Sequence, residues 1–197
     1  MISSIILLWM TALPLMGSPG PATLSVAATG AAYGPKCGMP YMLGISSGTS
    51  CVLFLIATGL TGIILAMPGA ALAITVLGAA YILYLAYRIA TAPVVEADAS
   101  TTAAPSFASG FVLAIANPKA YAAIGAVFSS TTVLPDHLFA DAAMKVVALM
   151  MVVIVVNTVW LYFGSAFSVV LKSPRAGRIA NISFAILLVI SVALVFL

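Results

Sequence analysis

The sequence predicts an all-α membrane protein of six transmembrane helices, arranged as two inverted three-helix repeats whose first and fourth helices are broken at proline motifs. Three observations lead there. Hydrophobic residues make up 64% of the chain and charged residues only 6%, with a mean hydropathy of +1.27. A soluble domain is about a quarter charged, so this chain could not cover a water-facing surface. Uncharged stretches run over residues 1–35, 37–87, 146–171 and 179–197, each long enough for a span of about 20 residues. Finally, Ser18-Pro19-Gly20-Pro21 and Asn117-Pro118-Lys119 interrupt apolar stretches at corresponding places in the two halves.

The elements follow in order. The first span covers about residues 5–33, with a break at 17–21, and the second covers about 40–66. Met67-Pro68-Gly69 makes a tight turn into a third span over about 70–90. A polar linker over 91–106 holds Glu96 and Asp98. The fourth span covers about 107–133 and is interrupted at Asn117-Pro118; the fifth covers about 142–170 and the sixth about 179–197. The whole of 1–197 is thus one transmembrane domain, with repeat one over about 1–90 and repeat two over about 107–197. Met1-Ile2-Ser3-Ser4 lacks the positive start of a cleaved signal peptide, so the first span is expected to stay.

Loop charges orient the bundle. With both termini outside, the inner connections carry Lys36, Arg88, Lys172, Arg175 and Arg178, and the outer ones carry Lys145 beside Asp136, His137 and Asp141. The positive-inside rule counts Lys and Arg and favours this arrangement. Tyr84 and Tyr87 beside Arg88 fit an interfacial anchor. A three-span repeat inserts upside down relative to its twin, the design in which one repeat rocks against the other in alternating access. On the second span Gly44 and Gly48 lie four apart, a small-residue spacing that lets helices approach closely in lipid. Thr58 and Gly62 repeat it. An internal packing seam is the preferred reading, and a homodimer face is the other option.

Two membrane helices broken at matching positions point to a transporter's binding site. Around the first break, Pro14, Pro19 and Pro21 join Gly17 and Gly20. The prolines lack an N–H, and the glycines permit backbone angles that other residues resist. Exposed backbone at membrane depth is tolerated only inside protein or beside a water-filled cavity. Helical halves of about 12 residues on either side place the break near the midplane. The helix restarting at Pro21 aims its positive end, with the N–H groups of Ala22 and Thr23, at that cavity, a natural seat for a carboxylate.

At the second break, Lys119 is the one cation that falls well inside a span, where it needs a cavity or a partner. Either it pairs with a substrate carboxylate, or it snorkels or bonds to exposed carbonyls. The expected substrate-binding set is therefore Ser18, Pro19, Gly20, Pro21, Ala22, Thr23, Asn117, Pro118 and Lys119. Ser46, Thr49, Ser50 and Asn157 are candidates for lining the path, although an amide at Asn157 more often bonds a neighbouring helix. His137, alone in a loop, reads as solvated.

Other chemistry has little to work with. No Asp or Glu falls inside an expected span, so no intramembrane carboxylate relay is available. There is no phosphate-binding glycine loop, no HExxH and no Ser/His/Asp set. No catalytic residue, cofactor or metal is expected. Cys37 and Cys51 have no CxxC or His partner and read as structural thiols. A net charge of +3 is too small to imply nucleic acid. The partners are a small solute and the lipid bilayer.

At these residues the chain resembles the LysE/RhtB superfamily of amino-acid exporters. The matching pattern is Pro19-Gly20-Pro21, Leu24, Gly34-x-Lys36-x-Gly38, Gly44 with Gly48, Gly78 with Tyr81, Leu83 and Leu85, then Phe107, Gly110 and Phe111 leading into Asn117-Pro118-Lys119. The resemblance implies a six-span secondary transporter of the bacterial inner membrane that moves amino acids or related metabolites outward, driven by an ion gradient. Members often carry an acidic residue shortly after the second glycine of the second span. This chain has Thr49 and Ser50 there, which favours a neutral substrate over a basic one. The alternatives are a carrier for another small solute, or a channel-like or structural membrane subunit.

Overall fold

The structure, a computed structural model, describes residues 2–59, 69–91, 104–170 and 174–193. Outside them lie the expected end of the second span with Gly62, the Met67-Pro68 part of the turn, linker residues 92–103 with Glu96 and Asp98, Lys172, and the last four residues of the sixth span. Seven helices and no strand are present among the described residues: α1 (Ile2–Gly17), α2 (Pro21–Ala57), α3 (Ala70–Ala90), α4 (Phe107–Ile115), α5 (Pro118–Ser130), α6 (Leu138–Val170) and α7 (Pro174–Ala193).

By length and composition, Pro21–Ala57 and Leu138–Ala166 suffice to cross a membrane. The pair α4 and α5, bent by 61° at its break, makes a third if it is one span, while Ile2–Gly17 and Gly177–Ile190 are shorter apolar helices. Both expected breaks are present, at Ser18–Gly20 and at Ala116-Asn117.

Several boundaries differ from expectation. The second span was expected to start at Pro40. Instead the chain turns at Gly34 alone, with φ 76° and ψ 167°, and is helical again from residue 35. Only glycine adopts that φ without strain, and Pro35 suits the first helical position that follows. Pro40 therefore lies inside the helix. Tyr41 Oη donates to Ser25 Oγ at 3.0 Å, tying the two limbs of α2, 21–33 and 35–57, across the turn.

The helix of the fifth span, α6, starts four residues early, at Leu138. Asp141 explains this: its Oδ1 accepts from the N–H groups of Val133 (2.5 Å) and Leu134 (2.9 Å), which holds the incoming loop to the first turn. Asp141 and Lys145 were expected in an outer connection. They form instead a buried ion pair on α6, at 2.7 Å, with Lys145 Nζ also donating to Phe128 O. Pairing offsets the cost of burying each charge. The sixth span is already helical at Pro174, the first residue described after 170 and earlier than the expected start at about 179.

The core consists of two apolar clusters. One gathers Val26, Tyr41, Ile45, Ile82, Leu113, Leu161 and Leu188 between α2, α3, α4, α6 and α7. The other gathers Leu8, Leu53, Ile124, Leu149 and Val152 between α1, α2, α5 and α6. Trp160 packs against both. Close backbone approach sets these contacts. A Cβ added at Gly44 would meet the Phe107 carbonyl, and one at Gly48 would come within 2.8 Å of Ala114 Cβ. The Gly44–Gly48 stripe is thus an internal seam against α4. Gly164 makes an equivalent approach to Ala27, where α6 crosses the first limb of α2.

Candidate functional site at the two helix breaks

The first break is ended and restarted by identifiable groups. Ser18 N donates to Pro14 O at 3.1 Å, and Ser18 Oγ donates to Leu15 O at 2.9 Å, closing the last turn of α1. Gly20 then caps α2: its N–H donates to Thr23 Oγ1 at 2.9 Å, and its carbonyl accepts from Leu24 N at 2.9 Å. Pro21 has no N–H to leave unpaired. Among the described residues, the N–H groups of Ala22 and Thr23 have no acceptor, as the open end of a helix requires.

One expectation fails at this point. Gly20 has φ −170° and ψ 179°, extended backbone that any residue adopts, and Gly17 is helical. Positive φ occurs only at Gly34, Gly59 and Gly69 among the described residues. What Gly20 supplies is space. A Cβ there would lie 2.7 Å from Lys119 Cδ and 2.8 Å from Lys119 Nζ.

The second break is capped by Asn117, whose Oδ1 accepts from Lys119 N at 3.1 Å, with Pro118 at the first helical position of α5. The Lys119 side chain crosses to the first break. Its Nζ donates to Ser18 O at 2.6 Å, Ser18 Oγ at 2.8 Å and Pro19 O at 3.3 Å. An ammonium has three protons, and all three are in use. These are bonds to exposed carbonyls and a hydroxyl, one of the partners expected for Lys119. Trp160 Nε1 covers another, donating to Gly17 O at 3.0 Å. The carbonyls of Gly17, Ser18 and Pro19 are therefore satisfied, while the amides of Ala22 and Thr23 are not.

These groups surround a cavity of about 50 Å³, space for a few waters. Gly20, Ala22, Thr23, Asn117 and Lys119 line its polar part, together with Thr49 and Asn157. Met16, Ala120, Ala123, Ile124, Val153 and Val156 form its apolar walls. No carboxylate is among the lining residues, and no cluster of metal-ligating side chains occurs among the described residues.

Residues 13–197 match the family described as LysE type translocator. The chain belongs to the LysE family. It is 31% identical over 182 residues to the cysteine/O-acetylserine efflux protein of Escherichia coli O1:K1, covering 92% of this chain and 91% of that protein. The proteins of the same description in E. coli K12 and in Shigella sonnei are 30% identical over the same coverage. No solved structure matches the chain. Family and apolar helices together make it a membrane-embedded translocator of bacterial type.

Within this LysE-family chain, the expected residues fall into three groups. Gly20, Ala22, Thr23, Asn117, Lys119, Thr49 and Asn157 meet at one cavity. Ser18 and Pro19 reach it through Lys119, Pro21 and Pro118 set the helix starts, and Ser46 stands behind Asn157, accepting from its Nδ2 at 3.0 Å. Ser50 is not at the site. Its hydroxyl donates to Ser46 O at 2.8 Å along the helix. His137 is exposed and no lining residue. Sequence reasoning missed the apolar walls and Trp160. Asn157 and Trp160 are three apart on one helix, hence on one face, and that spacing was the available signal.

Proposed function

We propose that this chain is a secondary exporter of small, mostly neutral amino acids or related metabolites, working by alternating access in the bacterial inner membrane. The observation that carries the reading is the junction of the two breaks: Lys119 of the second bonds to Ser18 and Pro19 of the first, beside the free amides of Ala22 and Thr23. The positive end of α2 and an ammonium side by side form a seat for a carboxylate. In this scheme the carboxylate takes the N–H groups of Ala22 and Thr23. It displaces Pro19 O, the longest of the three contacts to Lys119 Nζ.

Six spans in two inverted repeats, N-out and C-out, complete the proposal. The repeats would meet at the joined breaks, so rocking one against the other opens the cavity to alternate sides. The LysE-family relatives named for efflux of cysteine and O-acetylserine suggest those two solutes as the first to try, and the absence of a carboxylate from the cavity lining favours neutral substrates. The test is efflux of labelled cysteine, O-acetylserine and serine from proteoliposomes under imposed proton and sodium gradients. Movement of at least one, saturably, supports the reading; none moving under any gradient removes it.

A further inference from the structure

Inside the cavity, two acceptors are left over once the protein's own hydrogen bonds are counted. Thr49, only 9% exposed, lines the cavity, and among the described residues its hydroxyl has no hydrogen-bond partner. A threonine in a helix ordinarily bonds back to a carbonyl one turn earlier, as Thr29 does to Ser25 O at 2.8 Å. Thr49 does not. Asn157, 4% exposed, also lines the cavity, and its orientation is fixed from behind. Ser46 Oγ donates its proton to Met42 Sδ at 3.5 Å, so towards Asn157 it can only accept, and it takes the Nδ2 proton at 3.0 Å. The Oδ1 atom of Asn157 is left without a partner among the described residues.

Buried polar atoms are nearly always paired. Two that are not, lining the same cavity as the unpaired amides of Ala22 and Thr23, point to a ligand that brings donors as well as an anion. We propose that Thr49 Oγ1 and Asn157 Oδ1 form an amine subsite that receives the α-ammonium of the transported molecule. This rests on the exporter reading and adds to it the half of the substrate opposite the carboxylate. Because the acceptors are neutral, the subsite selects an ammonium carried next to a carboxylate. It neither rewards a second, distant cation nor accepts a carboxylate alone, since that would leave Thr49 and Asn157 unpaired. Ser46 is a positioning residue, acting through Asn157.

The experiment is competition against labelled L-cysteine with the full-length protein in liposomes under reducing conditions. The competitors are unlabelled cysteine, 3-mercaptopropionate, which lacks only the α-amine, and cysteamine, which lacks only the carboxylate. In the wild type, 3-mercaptopropionate should compete at least roughly tenfold more weakly than cysteine. Thr49→Val should weaken cysteine by roughly tenfold, the scale of one hydrogen bond to a charged group. It should leave 3-mercaptopropionate unchanged, and Thr49→Ser should restore cysteine. Asn157→Leu should act in the same direction. If the ratio of cysteine to 3-mercaptopropionate is the same in the wild type, Thr49→Val and Asn157→Leu, the subsite is overturned while the exporter reading stands. Cysteamine competing as well as cysteine would instead remove the carboxylate seat. If labelled cysteine does not bind, the same comparison is made with labelled serine against propanoate derivatives lacking the α-amine, and only failure of cysteine, O-acetylserine and serine alike removes the exporter reading with the subsite.

Discussion

The ammonium of Lys119 lies 2.6 Å from the carbonyl oxygen of Ser18, a residue 101 positions earlier in the chain. That bond joins the break in the first helical stretch to the break in the fourth. It explains how a lysine among apolar helices is tolerated, since its charge is met by carbonyls that the proline-induced break left without donors.

Space at Gly20 is what admits the lysine. Gly20→Ala costs nothing in backbone conformation, yet its Cβ would displace the end of the Lys119 side chain. The variant should insert normally and bind substrate more weakly. In a Lys119→Ala background the same change should cost nothing further, because the displaced group is gone. Substrate affinities of the two single variants and the double variant measure this coupling, and additive losses would contradict the relationship.

The glycine seams should govern stability. Gly44→Val drives a side chain into the Phe107 backbone, and overpacking of this kind costs roughly 1–3 kcal/mol. Gly125→Ala on α5 meets nothing within 4 Å and serves as the control. Thermal unfolding in detergent should show a clear drop for the first and almost none for the second.

Trp160 fixes the end of α1 to α6. Trp160→Phe keeps most of the ring's packing and removes the N–H that covers Gly17 O. The expected loss is about 1 kcal/mol, read as a lower unfolding midpoint of the purified protein with no change in how much is made.

Much of this was legible in the sequence, and the failures have physical causes. Proline and glycine mark breaks whatever surrounds them, so both were found: expected at 17–21 and at Asn117-Pro118, they lie at Ser18–Gly20 and Ala116-Asn117. Helix starts were missed where a single residue turns the chain, as at Gly34, or where a side chain caps from a distance, as Asp141 does for Val133 and Leu134. The site's polar residues stood out because polarity is rare in this chain. Its apolar walls did not: Val153 and Ile124 are indistinguishable in sequence from exposed apolar residues such as Ile154 and Val155. The role of Gly20 was misread because conformational need and steric need leave the same letter.

Orientation can be read from a native thiol. Cys37 is exposed and follows the Gly34 turn, in the connection assigned to the cytoplasmic side. In a Cys51→Ser background, a membrane-impermeant maleimide should label Cys37 in inside-out vesicles and not in right-side-out ones. The reverse pattern would invert the topology.

The most direct measurement of the central claim is the apparent affinity of Lys119→Ala for a transported amino acid in proteoliposomes, alongside the amount of protein inserted. If the joined breaks seat the substrate's carboxylate, removing the ammonium loses a charge-assisted hydrogen bond worth about 1.5–3 kcal/mol. That corresponds to a loss of roughly 10- to 150-fold in affinity, with insertion unimpaired because an embedded charge is gone. A Lys119→Ala protein that inserts normally and transports with wild-type rate and affinity would contradict the account and leave Lys119 as a cap for Ser18 and Pro19 alone.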